Sequence, residues 1–294
     1  MSGQDWIRLV ILSILWGGSF FFVEVALEGL PVLSLVWARV ALAAGLLAVV
    51  LIATRTAFPQ GKRVWTALLV MGLLNNAVPF TLFVAAQGQI SGGLAAILNA
   101  TTPLWGVVLA HLLTEEKVSR SKMIGLAAGF LGVVVMMGGK SGGAFWASFA
   151  CLSAAFSYGL AGIWGRRFKA MGLSPLTTAF GQVCCSSLIL LPIWLWVDQP
   201  WAVQALPSAR VVGAVLGLAA LSTALAYLLY FRLLASAGPT NLLLVTFLVP
   251  VSAAALGMAF LNEQLTPNQL AGFVLIAMGL AAIDGRLLRR FGWA

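Results

Sequence analysis

The sequence predicts an all-α membrane protein with ten transmembrane helices in two inverted five-helix repeats. Three observations carry this expectation. The chain is 61% hydrophobic and 9% charged, with a mean hydropathy of +1.02, far from the balance of a water-soluble domain. Its 294 residues divide into ten apolar stretches, each close to the roughly 20 helical residues that cross a hydrocarbon core of about 30 Å. The second half also echoes the first at a fixed offset of 147 residues: Pro103 is matched by Pro250, Leu109 by Leu256, Glu116 by Glu263, Gly125 by Gly272 and Gly132 by Gly279. Because five spans per copy is an odd number, the second copy enters the bilayer from the opposite side, an arrangement that points to a transporter.

The first copy, residues 1–140, holds spans at 7–27, 31–53, 64–86, 92–113 and 120–139. Span one is too long for the apolar region of a signal peptide and is expected to stay attached. Span two contains Arg39, and span three places Asn76, Phe80 and Phe83 on one helical face at spacings of four and three. Span four has Pro103 near its middle, beside Thr101, Thr102 and Trp105, and span five carries Gly125, Gly129 and Gly132. The glycine-rich seam 138–143 then breaks the hydrophobicity. The second copy, residues 144–294, has spans at 144–166, 173–197, 209–234, 239–261 and 267–287. Thr223, Tyr227 and Tyr230 repeat the span-three pattern in span eight, while Thr246 and Pro250 lie in span nine and Gly272 and Gly279 in span ten. The glycine rows let helix backbones approach closely, which matters where lipid weakens apolar attraction between helices. Separately folded halves are not expected, because each would leave polar helix faces against lipid.

A formal charge of +9 invites a nucleic-acid reading, but its placement argues for the membrane. Fourteen basic residues, from Arg8 and Arg55 through Arg289 and Arg290, fall at one face of the ten-span arrangement, against Lys140 and Arg210 at the other. This is the positive-inside pattern, with both termini cytoplasmic, and it favours anionic membrane lipid rather than nucleic acid. Cys151, Cys184 and Cys185 lie within spans, where they behave as small apolar groups.

Symmetric prolines at mid-span free backbone carbonyls and make Pro103 and Pro250 candidate hinges for a rocking transporter. The two matched faces are candidate gates, with Phe80 and Phe83 in the outer half of the membrane and Tyr227 and Tyr230 in the inner half. Asn76, Thr102, Trp105, Tyr158, Trp164, Thr223 and Thr246 complete the candidate substrate-binding set, because polar groups at membrane depth face a bundle interior or a cavity. Arg39 must snorkel or pair, since an arginine at the bilayer centre costs about 2.5–3.5 kcal/mol on insertion scales. Glu24 is the acid nearest to it along the predicted spans. An Arg39–Glu24 pair is therefore expected, with Arg39 as holder of a substrate carboxylate the alternative. The remaining acids map to ends or loops, and His111 to an interface. That distribution argues against an intramembrane enzyme, and no cysteine, histidine and acid spacing suggests a metal. No cofactor is implied.

Leu15-Trp16-Gly17-Gly18-Ser19-Phe20, Ala38-Arg39 and the doubled Pro103…Glu116…Gly125…Gly132 pattern together resemble the EamA branch of the drug/metabolite transporter superfamily over essentially the whole chain. The resemblance implies ten helices around a central cavity in a bacterial inner membrane; a monomer is expected, with a dimer as the alternative. The resemblance further implies export of aromatic and other neutral amino acids and related small metabolites. In the second spans the copies align at an offset of 143 instead, as Val40 with Val183, which sets Gln182 where the first copy has Arg39, so any role of that arginine is not duplicated. With no deep carboxylate, facilitated efflux is favoured over tight proton antiport. The runner-up is a proton-coupled multidrug exporter of organic cations using Glu24, and a scaffold protein is a third reading.

Overall fold

The computed structural model describes residues 2–138, 142–202, 206–242 and 244–284. Gly139, Lys140, Ser141, Arg286, Arg289 and Arg290 lie outside them, as do the side chains of Arg120, Ser121, Pro239, Thr240 and Asp284. Every regular element among the described residues is helical. This suits a chain in lipid, where an isolated strand leaves its backbone groups without partners.

Helix α1 (Gly3–Leu27) starts on a capping box: Asp5 N–H donates to Ser2 Oγ, and Ser2 N–H donates back to the Asp5 carboxylate. Pro31 precedes α2 (Val32–Ala53). Helices α3 (Lys62–Gly72) and α4 (Val78–Gln87) form one rod through a π-helical turn at Leu73–Ala77. Helices α5 (Gly92–Asn99) and α6 (Thr102–Leu113) follow, and then α7 (Arg120–Met137). The second half opens with α8 (Gly142–Ala170) and α9 (Pro175–Val197). Helix α10 (Ala209–Ala219) runs through a second π-helical turn, Ala220–Leu225, into α11 (Ala226–Leu242), which is kinked at Gly238. Helices α12 (Val245–Leu261) and α13 (Pro267–Asp284) complete the described chain.

Among the described residues, seven helical stretches are long and apolar enough to cross a membrane: Gly3–Leu27, Val32–Ala53, Lys62–Gln87, Gly92–Leu113, Gly142–Ala170, Pro175–Val197 and Ala209–Gly238. Three apolar helices are shorter, Lys122–Met137, Val245–Leu261 and Pro267–Ile283. At 1.5 Å per residue these fall at or below about 26 Å. Large apolar side chains such as Leu112, Ile124, Trp196 and Phe260 are exposed on the outside, as expected where lipid rather than water is the surrounding solvent. The main buried cluster includes Leu9, Leu12, Ile97, Leu98, Leu104 and Ile276, and so joins helices from both halves.

The two halves correspond locally. The π turns begin at Leu73 and Ala220, which is the same offset of 147 residues. Helices α7 and α13 pack antiparallel, and two reciprocal close approaches fix their crossing. A Cβ at Gly125 would meet the Gly279 carbonyl oxygen at 2.6 Å, and one at Gly132 would meet that of Gly272 at 2.6 Å. Each glycine thus packs on the repeat partner of the other. A side chain at any of the four positions would force the two backbones apart.

The fourth spans of the two halves differ. In the first copy α5 ends at Asn99 and α6 begins at Thr102, with Pro103 in the first turn of α6. Proline removes the donor to Asn99, and Thr102 Oγ replaces it by donating to the Asn99 carbonyl at 2.8 Å. Thr101 Oγ likewise donates to Leu98 O at 2.7 Å. In the second copy α12 continues helically through Pro250.

Candidate functional site

Polar chemistry gathers where the two π turns meet α2 and α9. Such turns redirect side chains and release backbone carbonyls, and they recur at functional sites. Thr223, inside the second turn, donates its hydroxyl to Leu218 O at 2.9 Å. Its oxygen is left to accept from Arg39 Nε at 3.0 Å. In the first turn the Leu74 carbonyl accepts from Ser157 Oγ of α8 at 2.7 Å.

Arg39 is 7% exposed. Its guanidinium carbon lies 3.6 Å from the Phe80 ring centroid, a desolvated cation–π contact worth up to about 2 kcal/mol. The ion pairs among the described residues are Arg8–Asp5, Arg166–Glu116 and Arg210–Glu28. Arg39 is in none of them, and among the described residues the Nε contact to Thr223 is its one hydrogen bond. The expected Arg39–Glu24 pair is therefore corrected. The Glu24 carboxylate is drawn instead to the N-terminus of α5, where it accepts from Gly92 N at 3.2 Å.

Gln182 of α9 makes the corresponding reach in the other half. Its Oε1 accepts from Asn75 Nδ2 at 2.9 Å. The Tyr227 hydroxyl accepts from Asn76 Nδ2 at 3.1 Å and from Asn75 Nδ2 at 3.4 Å. Asn76 Oδ1 and Ser222 Oγ are buried with no partner among the described residues, so this cluster retains unused hydrogen-bonding capacity. Aromatic rings adjoin it: Phe83 packs against Tyr158 at 6.1 Å and edge-on to Phe20 at 5.8 Å. Tyr230 lies 5.6 Å from Trp16.

Asn76, Phe80, Thr223 and Tyr227, expected from sequence as two matched faces, thus meet in one cluster, with Phe83, Tyr158 and Tyr230 in aromatic contacts beside it. Other expected site residues are elsewhere. Trp105 packs between Phe130 and Phe156. Trp164 donates to Ala67 O at 3.0 Å beneath Arg167 and lines a separate groove of about 680 Å³ with Arg63 and Met171. Thr102 serves the α5–α6 break, and Thr246 is half-buried on α12. Sequence reasoning gave Gln182 no binding role. Its position opposite Arg39 in the repeat was the signal available.

The sequence pattern of the EamA-like transporter family matches residues 6–138 and again 145–283. The chain belongs to the EamA-like transporter family. Protein PecM of Dickeya dadantii (strain 3937) is 29% identical over 222 residues, covering 74% of this chain and 73% of PecM. A Salmonella typhimurium protein named as a probable amino-acid metabolite efflux pump is 28% identical, covering 95% of this chain and 94% of its own. The Escherichia coli (strain K12) protein named as an uncharacterized inner membrane transporter, YedA, is 26% identical, covering 88% and 83%. A crystal structure superposes over all of both chains with a TM-score of 0.69 at 15% identity, which shows the shared fold. This EamA transporter is therefore a membrane protein whose polar cluster is built at matching irregularities of its two halves.

Proposed function

We propose that this EamA transporter exports aromatic and other neutral amino acids, with related small metabolites, from the bacterial cytoplasm by alternating access through a central path. The observation that carries the reading is the buried Arg39 guanidinium, which has no acidic partner among the described residues and is held by Phe80 and Thr223, in a cluster that also contains the hydrogen-bonded Asn75, Asn76, Tyr227 and Gln182. An unmatched buried cation suits a substrate carboxylate. The unpartnered Asn76 Oδ1 suits its ammonium group, and the rings of Phe83, Tyr158 and Trp16 suit an aromatic side chain. An organic cation finds repulsion from Arg39, and Glu24 is engaged by α5.

The reading includes ten spans in two inverted five-helix repeats, 1–140 and 144–294, in a monomer of the inner membrane with both termini cytoplasmic. Its support is the double family match, the equal register of the π turns and the antiparallel, reciprocal glycine contacts of α7 and α13. Equivalent helices that meet antiparallel are related by an axis lying across them, as inverted repeats require. Pro103 and Pro250 serve as hinges in this scheme.

Counterflow of labelled phenylalanine in proteoliposomes tests the function. Exchange by the wild type, lost in R39A, is expected; unchanged exchange in R39A removes Arg39 from the site. Transport is proposed to run down the substrate gradient, and uphill movement driven by a pH gradient alone overturns that part.

A further inference from the structure

A second polar site lies apart from the Arg39 cluster, where α1, α5 and the end of α12 converge. Ser91 caps α5 by accepting from Leu94 N at 3.3 Å, which leaves the first N–H groups of the helix free for other partners. Gly92 N donates to Glu263 Oε1 at 2.8 Å and to Glu24 Oε2 at 3.2 Å, and Gly93 N donates to Glu263 Oε2 at 3.1 Å. Glu263 is therefore held by two adjacent backbone donors, and Glu24 shares one of them. The space is made by glycine. A Cβ at Gly93 would stand 2.9 Å from Glu263 Oε2, and one at Gly257 would overlap the same carboxylate.

Charge does not balance here if both acids are ionised. A helix N-terminus offers the equivalent of about half a positive charge, and neither acid forms an ion pair among the described residues. Glu28, one turn further along α1, is engaged by Arg210 of α10 at 3.1 Å. The segment of α5 between Gly92 and Asn99 carries no charged side chain, and α4 contributes the neutral Gln87.

Gln87 supplies an independent indication. It is 7% exposed and donates Nε2 to Phe20 O at 2.8 Å. A Cβ at Gly92 would lie 3.3 Å from that Nε2 and 3.1 Å from Glu24 Oε2, so the Gln87 amide and the Glu24 carboxylate adjoin one small space at the glycine whose N–H also holds Glu263. Gln87 Oε1 is buried with no partner among the described residues. An unbonded acceptor beside two acids calls for a donor, and a protonated carboxyl is one.

We propose that Glu24 and Glu263 bind one exchangeable proton between them, and that the protonated pair is a latch fastening the end of α1 to the ends of α5 and α12. Loss of the proton leaves two like charges on one backbone N–H, which drives the helix ends apart. Glu263 is half-buried between the exposed Asn262 and Gln264, which gives the proton an aqueous route. On the transport reading above, this latch lies at the outer face, so the pH outside sets how readily that face opens. The proton gates the path and is not its driving force.

Infrared spectroscopy of the purified transporter in lipid tests the site without using transport. The wild type is expected to show a protonated-carboxyl stretch that shifts in heavy water, disappears on alkalinisation and is absent from E24Q. The amide of Glu24→Gln still donates to Glu263, so E24Q should remain folded, with a thermal midpoint that moves less with pH than that of the wild type. A wild type without such a band, or a band unchanged in both E24Q and E263Q, overturns the proposal. Counterflow at two external pH values should differ between them by at most about tenfold per pH unit in the wild type and be equal in E24Q; a pH response retained in E24Q refutes the latch. Loss of amino-acid counterflow with the carboxyl band intact would strike the export reading alone.

Discussion

Arg39 in α2 and Gln182 in α9 hold corresponding places in the two halves, yet they make different sites. Gln182 meets an amide, Asn75, and is neutral and satisfied. Arg39 meets a hydroxyl and an aromatic face, and it carries an uncompensated charge. The backbone beneath them is alike in kind, since α2 packs on the π turn Ala220–Leu225 and α9 on the π turn Leu73–Ala77. The repeat therefore dictates where side chains converge, while single substitutions within it decide what chemistry they present. On the export reading proposed above, a charge on one side would give a zwitterion a defined orientation, which two identical halves would not do.

The sharpest way to break the symmetry of the frame is at the α7–α13 crossing. G132L is expected to lower stability by about 3 kcal/mol or more, because a Cβ there meets the Gly272 carbonyl oxygen at 2.6 Å. G162L, where a Cβ meets nothing within 4 Å, should behave as wild type in a detergent thermal-unfolding assay. The next effect concerns the two sites. R39Q makes the first resemble the second and is expected to cut phenylalanine counterflow about 10–100-fold, the worth of a charged hydrogen bond. Q182A should reduce it by less than about threefold and act on stability by about 1 kcal/mol.

Tyr227 sharpens the contrast further. Y227F removes the acceptor shared by Asn75 and Asn76 and should cost about 1–2 kcal/mol by thermal unfolding, because Asn76 is fully buried. The smallest effect separates the prolines. Pro103 sits in the first turn of α6, where its missing donor is of little consequence, so P103A should stay within about 0.5 kcal/mol of wild type. P250A restores a donor inside α12 and should raise stability by about 1 kcal/mol. Equal responses of the two variants would mean that the fourth spans are not mechanically different.

Much of the site was legible because periodicity and offset are local properties. The spacing of Asn76 and Phe80, repeated at Thr223 and Tyr227, marks one face of each helix, and those faces do meet. The same local reasoning misjudged Glu24. Counting along α1 and α2 made it the neighbour of Arg39, but an acid is held by the nearest free donors in space, and these belong to the start of α5.

By itself the sequence determined that the chain is helical, apolar and internally repeated, because hydropathy and spacing act over a few turns of one segment. Only the tertiary structure decided that Arg39 has no acid as partner among the described residues, that Gln182 faces Asn75, and that Glu24 and Glu263 share Gly92. Those pairings join residues 68 to 184 positions apart. Such contacts depend on how helices cross, which is set by backbone approach at glycines and by the two π turns rather than by any one segment's own preference.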